Sequence, residues 1–285
     1  YRLVNGEGDG LSGLAVDVLG GAAAVVASSA GWCEVHRNVI LGELRGALAD
    51  DGKPEMECIW RTTPSRLKQD GYVVPDGAQE EGAAFEEGGD RTIIVTENGV
   101  KYATYPWAGQ KTGFYCDQRD NRAKIARMCA SLASRRPDGP VRVLDLCTYT
   151  GGFAISSALA GATAVVGVDS SADAVAAAAA NAARNGVSDR VTFVTADASA
   201  YAAAAHARCE EYDVVILDPP KLAPSASALD RAGRKYAALN RDAARLLDRE
   251  KGGALLTCTC SAAMTQAEGG QLFLRLAAGG AAGAG

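Results

Sequence analysis

VRVLDLCTYTGG, residues 141–152, is an apolar run that reaches an acidic residue, Asp145, and then a glycine pair, Gly151 and Gly152. Backbone that passes close to a ligand at the carboxyl end of a parallel strand requires glycine, because a side chain would occupy the ligand's place. The stretch therefore reads as a buried strand running into a nucleotide-type cofactor site.

This turn differs from the dinucleotide fingerprint, in which G-x-G-x-x-G cradles a pyrophosphate at a helix N-terminus. It has two glycines and a carboxylate on the strand's last turn. A carboxylate there repels a pyrophosphate and suits a cation, which argues against a dehydrogenase. S-adenosylmethionine carries an ammonium and a sulfonium, so Asp145 is placed to meet its amino-acid end. A second strand over residues 164–168 ends in Asp169, where a carboxylate takes a ribose hydroxyl pair. A third, over residues 191–195, runs into Ala196 and Asp197. Asp145, Tyr149, Gly151, Asp169 and Asp197 are thus candidate cofactor contacts.

The surrounding pattern agrees. From Asp117 onward, helical stretches alternate with apolar strands, which predicts a mostly parallel sheet covered on both faces. Strands are expected over residues 141–146, 164–168, 191–195, 213–217 and 253–258, and helices over 117–135, 152–160, 171–185, 198–207 and 228–248. Residues 174–183 are so rich in alanine that helix and low complexity both remain open. Residues 1–85 read as a small α+β domain, with a hairpin at Gly20-Gly21, a helix over 32–48 carrying Val35, Val39, Ile40, Leu44 and Leu48, and a strand over 58–61. Residues 75–90 read as an exposed linker, and Glu97-Asn98-Gly99 as the turn of a second hairpin, so that 86–116 joins the small domain to a cofactor domain over 117–276. The Ala/Gly residues 277–285 are expected to fray.

Composition bounds the partners. The chain has 285 residues, 48% of them hydrophobic and 22% charged, as in a folded protein with a sizeable core. Its net charge of -5 exerts no global pull on nucleic acid, so RNA binding requires a local basic surface. Arg119, Arg122, Lys124 and Arg127, or Arg135 and Arg136, provide either such a surface or a solvated helix face. The eight cysteines form no C-x-x-C pair and only two histidines are present, which argues against a metal site and for a reducing compartment. No membrane span is expected. Cytoplasm is the expected location, with plastid or mitochondrion as the alternative, and a homodimer is left open.

A second constellation follows residues 212–217, a buried-strand run ending in Asp218-Pro219-Pro220-Lys221. Two prolines after a central strand cannot continue the ladder and fix a rigid turn over the crevice, with or without chemistry. Asp-Pro-Pro at a fourth strand recurs in enzymes that methylate nucleobases, those acting on amino groups usually placing an aromatic residue where Lys221 stands. The fifth strand ends in Thr257-Cys258-Thr259-Cys260-Ser261. Cytosine C5 is a poor nucleophile, and chemistry there requires a covalent handle on C6, which a thiolate supplies. Cys260 is expected at the crevice rim and Cys258 deeper; a free cysteine is as readily a small buried hydrophobe.

The run GQKTGFYCDQRDNR at residues 109–122, followed by LDLCTYTGGF, LDPPK and TCTCS, resembles the bacterial 23S ribosomal RNA cytosine-C5 methyltransferases that also carry a PUA domain. The similarity extends from Arg2 to about Met264. It implies a Rossmann-like class I methyltransferase domain behind a small α+β domain, S-adenosylmethionine as cofactor, and large-subunit ribosomal RNA as partner. Phe114, Asp117, Gln118 and Arg122 become candidate cofactor contacts, Asp117 being equally readable as a helix N-cap. Asp145, Gly151, Asp169, Asp197 and Asp218 match the family's cofactor and base positions, Pro219, Pro220 and Lys221 its substrate turn, and Cys260 its nucleophile. The chain departs from the pattern in lacking a PUA segment before Arg2 and two final strands after a helix at 265–276. It also has Lys221 where two-cysteine enzymes carry a second cysteine. The function expected is formation of 5-methylcytosine; the alternatives are methylation of another nucleobase atom, such as guanine N7, and a non-catalytic cofactor- and RNA-binding module.

Overall fold

The computed structural model describes residues 1–73, 92–107, 109, 111–223 and 225–283. The linker expected over 75–90, Gln110 of the Gly-Gln-Lys-Thr-Gly run and the last two residues of the tail lie outside the described residues. The chain divides into two compact units, Tyr1–Asp120 and Asn121–Gly285. The second hairpin, expected in a linker, belongs to the first of them.

In the first unit, β1 (Arg2–Asn5), β2 (Leu14–Leu19), β3 (Ala23–Ser28) and β4 (Glu57–Thr62) form a sheet in that order, antiparallel except for the β3–β4 pair. A parallel pair requires a crossover, which α1 (Gly31–Val35), α2 (Arg37–Asp50) and the following loop supply. Alternate residues Leu14, Val16 and Val18 of β2 and Ala24 and Val26 of β3 face Leu44 and Leu48 of α2. The helix expected over 32–48 breaks at His36, and the break leaves Val35 and Val39 exposed rather than in the core. Asp17 of β2 is fully buried and accepts two hydrogen bonds from Arg2, both at 2.9 Å, and one from Thr112 Oγ1 at 2.6 Å. A short helix, α3 (Pro64–Gln69), and the β5 (Ile93–Glu97) and β6 (Val100–Thr104) hairpin complete the unit.

In the second unit, β7 (Arg142–Leu146), β8 (Ala164–Asp169), β9 (Val191–Thr195), β10 (Val214–Leu217) and β11 (Ala254–Thr257) form an all-parallel sheet in the order β11-β10-β7-β8-β9. The chain builds outward from β7 through β8 to β9, then returns to β7's other side, so the order reverses between β7 and β10. Ligands of open α/β sheets bind outside the carboxyl ends at such a reversal. Leu144, Leu146, Val168, Val215 and Leu217 pack against α7 (Ala198–Ala207) and α8 (Leu229–Ala244), while α5 (Gly152–Leu159) and α6 (Ala172–Arg184) cover the opposite face. This is the expected Rossmann-like class I methyltransferase architecture.

The alanine-rich stretch is a regular helix: Ala174, Ala177, Ala178 and Ala182 of α6 form one buried stripe, and Ser171 Oγ caps it by accepting from the Ala174 N–H at 3.2 Å. Residues 262–282 fold as α9 (Ala262–Gln266), a 3-10 turn over Ala267–Gly270 and α10 (Gln271–Ala282). Residues 277–282, expected to fray, are therefore helical. Gly280 explains why: a Cβ there would stand 2.5 Å from the Ala237 carbonyl oxygen, so α10 lies against α8 at a distance only glycine permits.

Candidate cofactor and substrate site

The loop after β7 is shaped by unusual backbone. Cys147 (φ 66°), Tyr149 (φ 51°) and Gly151 (φ 84°) all occupy the left-handed region, which costs the two residues with side chains about 1 kcal/mol or more each. Hydrogen bonds hold it there. The Thr148 N–H donates to the Val168 carbonyl at 2.9 Å, and the Gly151 N–H to the Thr148 carbonyl at 3.0 Å. Asp145 is fully buried, and its Oδ2 accepts from Thr148 Oγ1 at 2.5 Å and from the Ala154 N–H at 3.1 Å. Asp169 accepts from the Tyr149 N–H at 2.9 Å through Oδ2 and from the Ser171 N–H at 3.0 Å through Oδ1.

Both acids thus build the loop before any ligand arrives, and both keep capacity for one. Asp145 Oδ1 has no hydrogen-bond partner, and burial pushes this carboxyl up to about 7. An orphaned oxygen on a buried acid is what a cationic group satisfies. Asp169 is half-buried, and each of its oxygens retains a lone pair for a hydroxyl. The residues present fit S-adenosylmethionine.

Internal packing gives the glycines a reason of its own. A Cβ on Gly151 would stand 2.9 Å from Phe193 Cζ, 3.0 Å from Ile155 Cδ1 and 3.2 Å from Ala178 Cβ, so positive φ and internal packing exclude side chains there. A Cβ on Gly152 would stand 3.1 Å from Cδ of Arg122, a buried residue of α4 (Arg119–Arg135), and one on Gly167 would meet the Phe193 ring at 2.6 Å. Asp197 is exposed and caps α7, accepting from the Ala200 N–H at 3.0 Å.

On the other side of the reversal, the half-buried Asp218 donates its N–H to the Leu146 carbonyl at 3.3 Å, which joins the turn after β10 to the end of β7. Pro219 is buried, while Pro220 and Lys221 are exposed. The Cys258 N–H donates to the Leu217 carbonyl at 2.9 Å as β11 ends. Cys258 is half-buried and Cys260 exposed. The residues flanking Cys260 are tied to α8: Tyr236 Oη lies 2.7 Å from Thr259 Oγ1 and 3.2 Å from Ser261 Oγ, and Ser261 Oγ accepts from the Ala223 N–H at 3.1 Å. By contrast, burial pushes the Cys147 thiol up to about 12 and keeps it protonated at neutral pH.

Phe114, Asp117 and Gln118 fall in the first unit. Phe114 is buried, its ring 5.2 Å from that of Tyr102. Asp117 lies within a 3-10 turn, where its Oδ2 accepts from Lys111 Nζ at 2.7 Å instead of capping a helix, and Gln118 is half-buried. Of the basic residues on α4, Lys124 and Arg127 are exposed while Arg122 is buried, and Arg136 beyond it pairs with Asp213. Thr148, Phe193, Tyr236 and Ser261 were not anticipated. Tyr236 alone left a trace, in the i, i+4, i+7, i+11 face Ala232, Tyr236, Leu239, Ala243.

The family profile of the S-adenosylmethionine-dependent methyltransferases matches residues 67–278. The chain belongs to this family. Methyltransferases of similar sequence include "Ribosomal RNA large subunit methyltransferase I" of Klebsiella pneumoniae strain 342, 34% identical over 266 residues, or 93% of this chain and 61% of that one. The protein of the same name from Salmonella arizonae is 35% identical over 286 residues, covering 100% of this chain and 64% of its own. The chain thus spans less than two thirds of the length of these relatives. Among solved structures, a protein solved in complex with SAH matches with a TM-score of 0.74 at 22% identity, and a protein from Streptococcus mutans with 0.73 at 21%. Each alignment covers 98% of this chain and 65% of the other, and shares its fold. S-adenosylmethionine, expected from the acids at the strand ends, is the cofactor of the methyltransferase family.

Proposed function

We propose that the protein methylates C5 of a cytosine in large-subunit ribosomal RNA. The RNA class follows the names of the relatives; the atom rests on Cys260, an exposed thiol at the end of β11 beside the Asp218-Pro219-Pro220 turn of the neighbouring strand. S-adenosylmethionine, when bound, supplies the electrophilic methyl group. Asp145 would receive its amino-acid end and Asp169 its ribose, with Tyr149, Gly151, Arg122 and Asp197 around them. The Cys260 thiolate adds to C6 of a flipped cytosine, breaking the C5–C6 double bond and leaving the electron pair on C5. After C5 is methylated, a base removes the C5 proton, the double bond re-forms and the thiolate leaves. Asp218 would hold the base edge, with Pro219, Pro220 and Lys221 forming the adjoining wall. Flipping costs a few kcal/mol from a duplex, so an unpaired target is favoured. A cytoplasmic location belongs to the same proposal.

Transfer of labelled methyl to unmodified large-subunit ribosomal RNA, with the product nucleoside identified by mass, tests it. Label in 5-methylcytosine that vanishes in Cys260→Ala is expected. Label in another nucleoside, or activity retained in that variant, overturns the assignment.

A further inference from the structure

We infer that Tyr236 is a positioning residue that fixes the Cys260 thiol through the two residues flanking it, and couples the nucleophile loop to the substrate turn. The inference rests on the reading of Cys260 as nucleophile.

The Cys258 N–H makes the last ladder bond of β11, and the chain then leaves the sheet. Thr259 and Ser261, immediately before and after Cys260, both place their hydroxyls on Tyr236 Oη, at 2.7 Å and 3.2 Å. The Ser261 N–H also donates to Thr259 Oγ1 at 3.2 Å, closing a small ring around the cysteine backbone. A phenol has one proton and accepts as well, so Tyr236 can donate to one of these hydroxyls and accept from the other. Its own position is rigid: the side chain is fully buried on α8, packed edge-on against Phe273 at 5.5 Å and 83°. Ser261 Oγ accepts from the Ala223 N–H, two residues beyond Lys221. Ser261 Oγ therefore registers the loop bearing the thiol against the turn bearing Asp218, and Tyr236 Oη holds Ser261 in place. A nucleophile misplaced by about 1 Å can cost on the order of 100-fold in rate.

The test begins with Tyr236→Phe, which removes one oxygen and keeps the ring contact with Phe273. Single-turnover methyl transfer should fall about 10- to 100-fold while SAH affinity and the KM for RNA stay within about two-fold, the split expected when only transition-state geometry is lost. Thr259→Val should reproduce the loss and Thr259→Ser should recover most of it. The Tyr236→Phe/Thr259→Val pair should lose less than the sum of the two single changes, because both cut the Tyr236–Thr259 bond while each also removes one contact of its own. Alkylation of Cys260 by iodoacetamide, followed peptide by peptide against the exposed Cys209, requires neither RNA nor cofactor and should rise several-fold in Tyr236→Phe as the loop is released. If Tyr236→Phe does not fold, Thr259→Val against Thr259→Ser reads the same bridge. Unchanged transfer in folded Tyr236→Phe, or an unchanged alkylation ratio, overturns the inference. Methyl transfer retained in Cys260→Ala overturns instead the reading beneath it.

Discussion

Ser261 and Ala223, 38 residues apart, tie together the segments that follow two neighbouring strands: the Ala223 N–H donates to Ser261 Oγ at 3.1 Å, and both residues are completely buried. Ser261→Ala strands that N–H without a partner, at a cost of about 1–3 kcal/mol. Urea unfolding should show the loss as a lower midpoint with an unchanged slope. Full stability would mean that water or a shifted backbone replaces the serine.

Gly151→Ala introduces a Cβ at positive φ and within 2.9 Å of the Phe193 ring. Strain and overpacking together should cost about 2–4 kcal/mol. Phe193→Leu in the same chain should recover part of that loss if the ring is the obstacle, and none of it if backbone strain alone is responsible. Thermal denaturation of the single and double variants separates the two.

Burial raises the Asp145 carboxyl from 3.8 to about 7 in the folded chain. Between these values the folded form holds a proton that the unfolded form has released, so this group's contribution is complete below 3.8 and is lost as pH rises towards 7. Stability of the ligand-free protein should therefore decline across that window, and Asp145→Asn should flatten the decline. Denaturation series at fixed ionic strength read it directly; an identical slope in both proteins would show that the folded acid is ionised throughout.

In the proposed site a cation meets the ionised form of the same group, so cofactor affinity should rise with pH up to about 7 and level off beyond. Calorimetric titration with SAH across this range, beside Asp145→Asn, checks it. A pH-independent affinity would place the ammonium elsewhere.

Among the described residues, Arg2→Ala removes two of the three side-chain hydrogen bonds to Asp17, a carboxylate with no exposed surface. Removing one partner of a buried ion pair costs about 3–5 kcal/mol. The first unit's unfolding transition should shift by that order, and Arg2→Lys should recover only part of it because the two-pronged geometry is lost.

What could be read in the chain and what could not divide along physical lines. The strands of the parallel sheet were legible because burial on both faces forces continuous runs such as VRVLDL and DVVIL, and each expected strand appears within one or two residues of its place. Asp145 and Asp169 were legible as acids at strand ends, but their engagement by Thr148, Ala154, Tyr149 and Ser171 was not, since loop closure depends on left-handed residues that leave no periodic trace. Tyr236 escaped because its partners lie 23 and 25 residues away and lack any shared pattern. The Ala/Gly run at the end was misread because composition suggesting disorder is also composition allowing helices to touch, as Gly280 does on α8.

The alanine stripe of α6 imposes an asymmetry on how this chain can drift. Ala174, Ala177, Ala178 and Ala182 expose 1% of their surface or less, and Ala178 stands 3.2 Å from where a Cβ of Gly151 would be. Larger apolar residues, usually the gentlest replacements in a core, are here the harmful ones, because the helix would have to rise off the sheet or press on the loop after β7. Across a saturation library, tolerated codons at these four positions should narrow to glycine, alanine and serine, while the exposed Ala172, Ala176, Ala179 and Ala183 of the same helix should accept larger residues.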